Sequence, residues 1–162
     1  MASFIDPTAK IGDIVSIDIS TRGTNTYIGK YCVIDDFVKI KHVGGDKDIR
    51  IGDYCYLNSG CVLYSGHGIT IGNHVLIGPN CNLVPSNHNF QDRDTIIRLQ
   101  GHQPSRGGIV IEDDVWLGAN VTVLDGSHIS EGCVIGANSL IIGKTESYSV
   151  YAGVPAKKIK NR

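Results

Sequence analysis

The chain has 162 residues, a formal net charge of −1 and a pI near 6.6, with 41% hydrophobic residues but only three Phe and one Trp. A balance this close to neutrality leaves no electrostatic footprint for nucleic acid, no apolar run has the length of a membrane span, and the N-terminal Met-Ala-Ser-Phe-Ile-Asp-Pro lacks the regions of a signal peptide. Five cysteines without a CxxC spacing argue against a disulfide framework and a zinc knuckle, so the expected location is cytoplasmic, a reducing compartment.

Taken in chain order, an aliphatic residue recurs every six positions. A looser start at Ile11 and Ile17 leads to Ile28, Ile34 and Ile40, then to Ile51, Leu57 and Leu63, and to Ile71, Ile77 and Leu83. The beat resumes at Ile111, Leu117 and Val123 and continues through Ile129, Ile135 and Ile141. With that residue as position 1, position 2 is often Gly, as at Gly29, Gly52, Gly72, Gly78, Gly118 and Gly136, where a tight turn would be eased or a side chain would clash. Position 5 is small and carries all five cysteines, Cys32, Cys55, Cys61, Cys81 and Cys133, which read as small buried hydrophobes.

Extra residues enter only after each third unit, around Gly44–Asp48, around Gly66–Gly68 and from Asn89 to Gly108. Three units therefore make one coil, and every insertion leaves from one edge of a prism whose short strands find stability only by stacking along the axis. The last strand before the longest insertion ends just short of His88. Loops of that length without repeat character are commonly functional.

The [Ile/Leu/Val]-Gly-x-x-[small]-x pattern resembles the hexapeptide-repeat acyltransferases over roughly residues 10–160. That resemblance implies an all-β fold, a left-handed parallel β-helix of five to six coils with one long loop near 89–108 and a short C-terminal extension. It also implies one acyltransferase domain over 1–162, with coils at about 10–145 and a CoA-end segment at 146–162. Ser86-Asn87-His88-Asn89-Phe90-Gln91-Asp92, Ile97-Arg98-Leu99-Gln100-Gly101, the segment from Ile111 through Trp116 to Val121, and Ala152-Gly153-Val154-Pro155-Ala156-Lys157 look like the maltose/galactoside-type acetyltransferases. Within them the match is nearest the branch that O-acetylates sugars of capsules, lipopolysaccharide and sialic acid polymers, with Ser86 where many of that branch carry a second His.

The resemblance assigns roles. A sugar hydroxyl attacking the thioester of acetyl-CoA must lose its proton, and His88 is the expected general base. The amide of Ala119 would receive the oxyanion. Trp116, at an outward position, and Asn58, where the repeat usually has Gly, would bind the acceptor. Ala119 and Ala137 would contact pantetheine, Gly143 and Lys144 the phosphate region, and Lys157 and Lys160 the nucleotide end. A homotrimer with active sites between subunits, a carbohydrate acceptor, no nucleic acid and no metal follow from the same likeness. His67 and His128 are expected on the edge of His88. Their alignment leaves open a γ-carbonic anhydrase-like zinc site, and the family also contains N-acetyltransferases of nucleotide-linked amino sugars. A scaffold without activity would leave the His88 and Ala152–Lys157 segments without a purpose.

Overall fold

A six-residue unit can extend only two or three residues before it must turn, and the computed structural model keeps to that limit. It describes residues 3–43 and 45–162; Met1, Ala2 and Gly44, the last at the start of one expected insertion, lie outside the described residues. The first coil is β1 (Ser3–Ile5), β2 (Lys10–Ile11) and β3 (Ser16–Ile17); the second is β4 (Thr26–Ile28), β5 (Val33–Ile34) and β6 (Lys39–Lys41). The third is β7 (Ile49–Ile51), β8 (Tyr56–Leu57) and β9 (Val62–Tyr64), and the fourth is β10 (Ile69–Ile71), β11 (Leu76–Ile77) and β12 (Asn82–Val84). After the long loop come β13 (Ile109–Ile111), β14 (Trp116–Leu117) and β15 (Thr122–Leu124), then β16 (Ser127–Ile129), β17 (Val134–Ile135) and β18 (Leu140–Ile141). A closing hairpin, β19 (Ser149–Gly153) and β20 (Ala156–Asn161), lies on top.

First strands of successive coils stack into one six-stranded sheet (A), second strands with the hairpin into an eight-stranded sheet (B), and third strands into another six-stranded sheet (C). Pairing within them is parallel except for β20, which runs antiparallel to β19. The result is a left-handed parallel β-helix, all-β among the described residues apart from one 3₁₀ turn at Ile97–Leu99 in the loop. Its first coil begins at Ser3: Ile5, six residues before Ile11, pairs with Ile28 of β4 and extends the six-residue beat one unit earlier than Ile11.

The expected core is the observed one. In sheet B, Ile34, Leu57, Ile77, Leu117 and Ile135 are in register and buried, each aliphatic side chain adding roughly 1.5–3 kcal/mol by leaving water. The cysteines are free and buried between these columns. Cys55 donates to the Gly72 carbonyl, and Cys61 and Cys81 to those of Gly78 and Gly118, each at 3.1 Å. The hydrogen bond with a neighbouring cysteine, together with burial, pushes the Cys55 and Cys61 thiols far above the ordinary thiol range.

Position 2 needs glycine for closeness between coils. A Cβ on Gly52 would sit 2.5 Å from the Gly72 carbonyl oxygen, and one on Gly78 would sit 2.7 Å from the Gly118 carbonyl carbon, with no left-handed backbone at either. The left-handed turn falls at position 4 instead, on Tyr31, Tyr54, His74, Asn80, Asn120 and Asn138, all with φ between 55° and 59°.

Candidate active site

The edges of the prism differ in chemistry. Where sheet A passes to sheet B, Asp53, Asn73 and Asp113 form a ladder: each side-chain oxygen accepts the N–H of the coil below, from Lys30, Asp53 and Asn73 in turn, at 2.7–2.8 Å. Where sheet B passes to sheet C there is no such ladder in the upper coils. Gly78, Gly118 and Gly136 leave that edge bare, and the N–H groups of Ala119 and Ala137 meet no acceptor among the described residues. Both amides abut the glycine one coil below: an added Cβ on Gly78 would lie 2.8 Å from the Ala119 nitrogen, and one on Gly118 would lie 2.7 Å from that of Ala137.

Asn58 lies lower on the same B–C edge. Its side-chain NH₂ donates to the Ile77 carbonyl at 2.8 Å, which fixes the amide and turns its oxygen free to accept. Ala152, opposite Lys157 in the closing hairpin, continues the edge upward, and Lys160 pairs with Val150 nearby. Lys157 and Lys160 are exposed and without an ion pair among the described residues, whereas Lys158 is bound to Glu146 at 2.5 Å. Arg162 is anchored on Asp114 at 2.7 Å. Trp116 stands on the outer face of sheet B between Leu76 and Val134, 53% exposed, with Leu76 at 51%.

His88 is on another edge, where sheet C passes to sheet A and all insertions leave. The loop returns beside its own start as a hairpin: Gln103 N–H donates to Asn87 carbonyl at 2.8 Å and Asn89 N–H to Gly101 carbonyl at 3.0 Å. Gln100 pins the excursion, its NH₂ donating to the carbonyls of Asp92 and Thr95 at 2.8 and 2.7 Å. His88 lines an open cleft of about 480 Å³ with Asn87, Phe90, Ile97, Gln103 and Arg106. Across the hairpin it faces His102, ring centroids 4.4 Å apart. His102 carried no signal in the repeat, since only the return path of the loop brings it there. Gly143 and Lys144 sit on this C–A edge too, above His128, whose N–H donates to the Gly143 carbonyl at 3.0 Å.

Within one chain, then, Asn58, Ala119, Ala137 and Lys157 gather along one edge, and His88 with Gly143 and Lys144 along another. The Trp116–Ala119 turn closes a second strand of its coil, while His88 follows a third, so within one chain the expected base and the expected oxyanion amide lie on different edges. The expected alignment of three histidines is corrected. His67 precedes β10 on the edge of His88, but His128 is inside β16, where its Nε2 meets Glu112 Oε1 at 2.5 Å. That hydrogen bond, followed by one from the Glu131 N–H, holds the Glu112 carboxyl below its ordinary range. Among the described residues no three His, Cys, Asp or Glu side chains gather as a metal site.

Comparison with known proteins agrees with this architecture. Residues 108–143 match the family model described as bacterial transferase hexapeptide (six repeats). Galactoside O-acetyltransferase of Lactococcus lactis is 35% identical over 111 residues, covering 68% of this chain and 52% of that protein. The chain spans about half the length of the curated relatives it matches. AntD, an N-acyltransferase from Bacillus cereus solved with dTDP and coenzyme A, superposes with a TM-score of 0.73 at 20% identity over 99% of this chain and 83% of that one. A maltose O-acetyltransferase from Clostridium difficile superposes with a TM-score of 0.66 at 19% identity over 98% and 68%. At such identities the two structures speak for the fold alone. By its repeat, its core and these relatives, the chain is similar to the hexapeptide-repeat transferases, with the family's repeat matched over residues 108–143.

Proposed function

We propose that this chain transfers acetyl from acetyl-CoA to a sugar hydroxyl, in a site assembled between subunits of a homotrimer. The observation that carries the reading is the pair of half-sites: unpartnered amides at Ala119 and Ala137 on the bare B–C edge, and His88 in an open cleft on the C–A edge. Three copies around an axis would bring the C–A edge of one against the B–C edge of the next, and would shield the exposed Leu76–Trp116 face of sheet B. The whole of 1–162 is read as one acyltransferase unit, with 146–162 at the CoA end, working in the cytoplasm.

In this mechanism neutral His88 takes the proton of the attacking hydroxyl as its oxygen bonds to the thioester carbon. The Ala119 N–H receives the charge on the carbonyl oxygen, a contribution of about 3–4 kcal/mol in comparable sites. Collapse breaks the carbon–sulfur bond, and protonated His88 returns its proton to the departing thiolate, so no acyl-enzyme forms. Asn58 orients the acceptor through its free oxygen, and Trp116 offers a ring face to the apolar side of a sugar. Ala137 follows pantetheine, while Lys144, Lys157 and Lys160, with the open backbone of Gly143, meet the phosphates.

The acceptor class is a galactoside, maltoside, or capsular, lipopolysaccharide or sialic acid sugar; the L. lactis relative and the motif around His88 both favour oxygen as nucleophile. The second reading, which the resemblance to the family leaves open, is N-acylation of a nucleotide-linked amino sugar. Acetyl-CoA turnover against maltose, a galactoside, free sialic acid and a dTDP-amino sugar separates the two. His88→Ala is expected to lower kcat by roughly 10²–10⁴-fold on the accepted sugar; unchanged turnover would refute the base assignment.

A further inference from the structure

The loop that returns beside His88 brings a second imidazole with it, and we propose that His102 is a positioning residue for His88, clamping the plane of the catalytic ring by a tilted ring-to-ring contact. This rests on the reading of His88 as the base. The two residues face each other across an antiparallel bridge. The flanking hydrogen bonds run from Gln103 N–H to Asn87 carbonyl and from Asn89 N–H to Gly101 carbonyl, so His88 and His102 form the non-hydrogen-bonded pair between them. In that type of pair the side chains lie on one face of the ribbon at the shorter cross-strand distance. The rings accordingly stand 4.4 Å apart at centroids with an interplanar angle of 36°.

The register of this pair is held from several sides. Asn89 Nδ2 donates to the carbonyls of Gln100 and His102, both at 3.1 Å, so His88's neighbour grips the backbone of the residue whose ring it faces. The Gln100 side chain ties the tip of the excursion, and Asp125 ties its base through the N–H groups of Arg106 and Gly108. By contrast, no hydrogen bond to another side chain orients the His88 ring among the described residues. A base in a solvent-facing cleft with no carboxylate or carbonyl fixing its ring needs some other constraint. The ring of His102 is the group in contact that supplies it.

The gain is one of geometry. Misplacing a reacting group by about 1 Å can cost on the order of 10²-fold in rate, and an imidazole free to rotate about its side-chain bonds spends little time aimed at a hydroxyl. That contact needs a flat ring at position 102 and does not need its nitrogens. His102→Phe should therefore preserve the function that His102→Ala removes.

Two measurements test this on the full-length protein. In side-chain NMR spectra, with the His88 ring signals assigned by their loss in His88→Ala, His102→Ala is expected to shift them and His102→Phe to leave them under a ring current. In steady-state turnover of acetyl-CoA with whichever sugar of the panel above is acetylated, His102→Ala is expected to lower kcat about 10–100-fold. KM for acetyl-CoA should stay within about twofold, and His102→Phe should recover most of kcat. His88 signals unmoved by His102→Ala, wild-type kcat in that variant, or His102→Phe as slow as His102→Ala would each overturn the proposal. A wild-type rate for His88→Ala would instead overturn the assignment of His88 as base, and the NMR comparison would still decide whether the rings are coupled. Both residues are exposed on the loop, and unchanged far-UV spectra and melting temperatures would confirm that the variants fold.

Discussion

The carboxylate of Asp125 accepts the N–H of Arg106 at 2.8 Å and the N–H of Gly108 at 2.9 Å, so one buried side chain closes the long loop back onto the coil. The Arg106 guanidinium adds a looser contact at 4.0 Å. Gly108 is itself buried, and its N–H has no water to turn to once the acceptor is gone. Asp125→Ala is expected to cost about 1–3 kcal/mol, read as a lower urea midpoint with an unchanged m-value. Native-state protease cleavage between residues 89 and 107 should rise in parallel, because the base of the loop is what the substitution releases.

The repeat carries a prediction that separates its two kinds of glycine. Gly52→Ala drives a methyl group to 2.5 Å from the Gly72 carbonyl oxygen, a backbone atom that cannot step aside, and should cost at least about 1–3 kcal/mol. Gly60 is different. It has φ of 77° at position 4, where neighbouring coils place Asn80, Asn120 and Asn138, and the atom an added Cβ would meet is the flexible end of Asn80. Gly60→Asn should therefore change the melting temperature by far less than Gly52→Ala, a comparison one thermal-melt series settles.

The same contrast explains what was legible beforehand. Positions 1 and 5 announce themselves because an inward side chain must be apolar in every coil, so Ile77 or Cys81 could be assigned from the beat alone. The reason for Gly78 could not, because distance between stacked backbones is not a property of one unit. The edges were within reach: His88 follows the third unit of its coil and Ala119 belongs to the second of its own, so counting units places them on different edges. His102 and Asp125 were not legible. Each acts through the path of a loop whose shape is set by Gln100, Asn89 and their carbonyl partners. No period runs through those residues.

A pH dependence follows from Glu112. Its carboxyl is held below the ordinary value of 4.5, first by the hydrogen bond from His128 and then by the Glu131 N–H. A depressed carboxyl contributes stability that is fully present above the unfolded value and lost as pH falls through the lower folded value. The pair is partly exposed, so screening limits the contribution to about 1 kcal/mol or less. Glu112→Gln should thus be modestly less stable than wild type at pH 6, with the gap closing below about pH 4.5. Urea midpoints across that range measure it.

Trp116 is the single tryptophan of the chain, which makes its fluorescence a site-specific probe. At 53% exposure the isolated subunit should emit in the range of hydrated indole. Assembly into a trimer, or stacking of an accepted sugar, should shift the maximum to shorter wavelength, and dilution should separate the two, since only assembly depends on protein concentration. Trp116→Phe is expected to raise KM for the sugar several-fold, on the order of 1 kcal/mol of stacking, with little change in KM for acetyl-CoA.

The lysines of the closing hairpin distinguish recognition of CoA from an ordinary charged surface. Lys158 is already engaged with Glu146, while Lys157 and Lys160 extend from the same strand with no anionic partner among the described residues. If those two meet phosphates, Lys157→Ala and Lys160→Ala should each raise KM for acetyl-CoA by about 3–10-fold with kcat unchanged, the mark of binding energy shared equally by ground and transition states. Lys158→Ala should do neither. Because exposed charge pairs are screened over about 8–10 Å at physiological salt, the wild-type KM should rise with ionic strength and the variants should respond less. Acetyl-dephospho-CoA, which lacks the 3′-phosphate, sharpens the test. Whichever lysine contacts that phosphate should lose its effect on KM with this donor, while a lysine on the diphosphate should keep it.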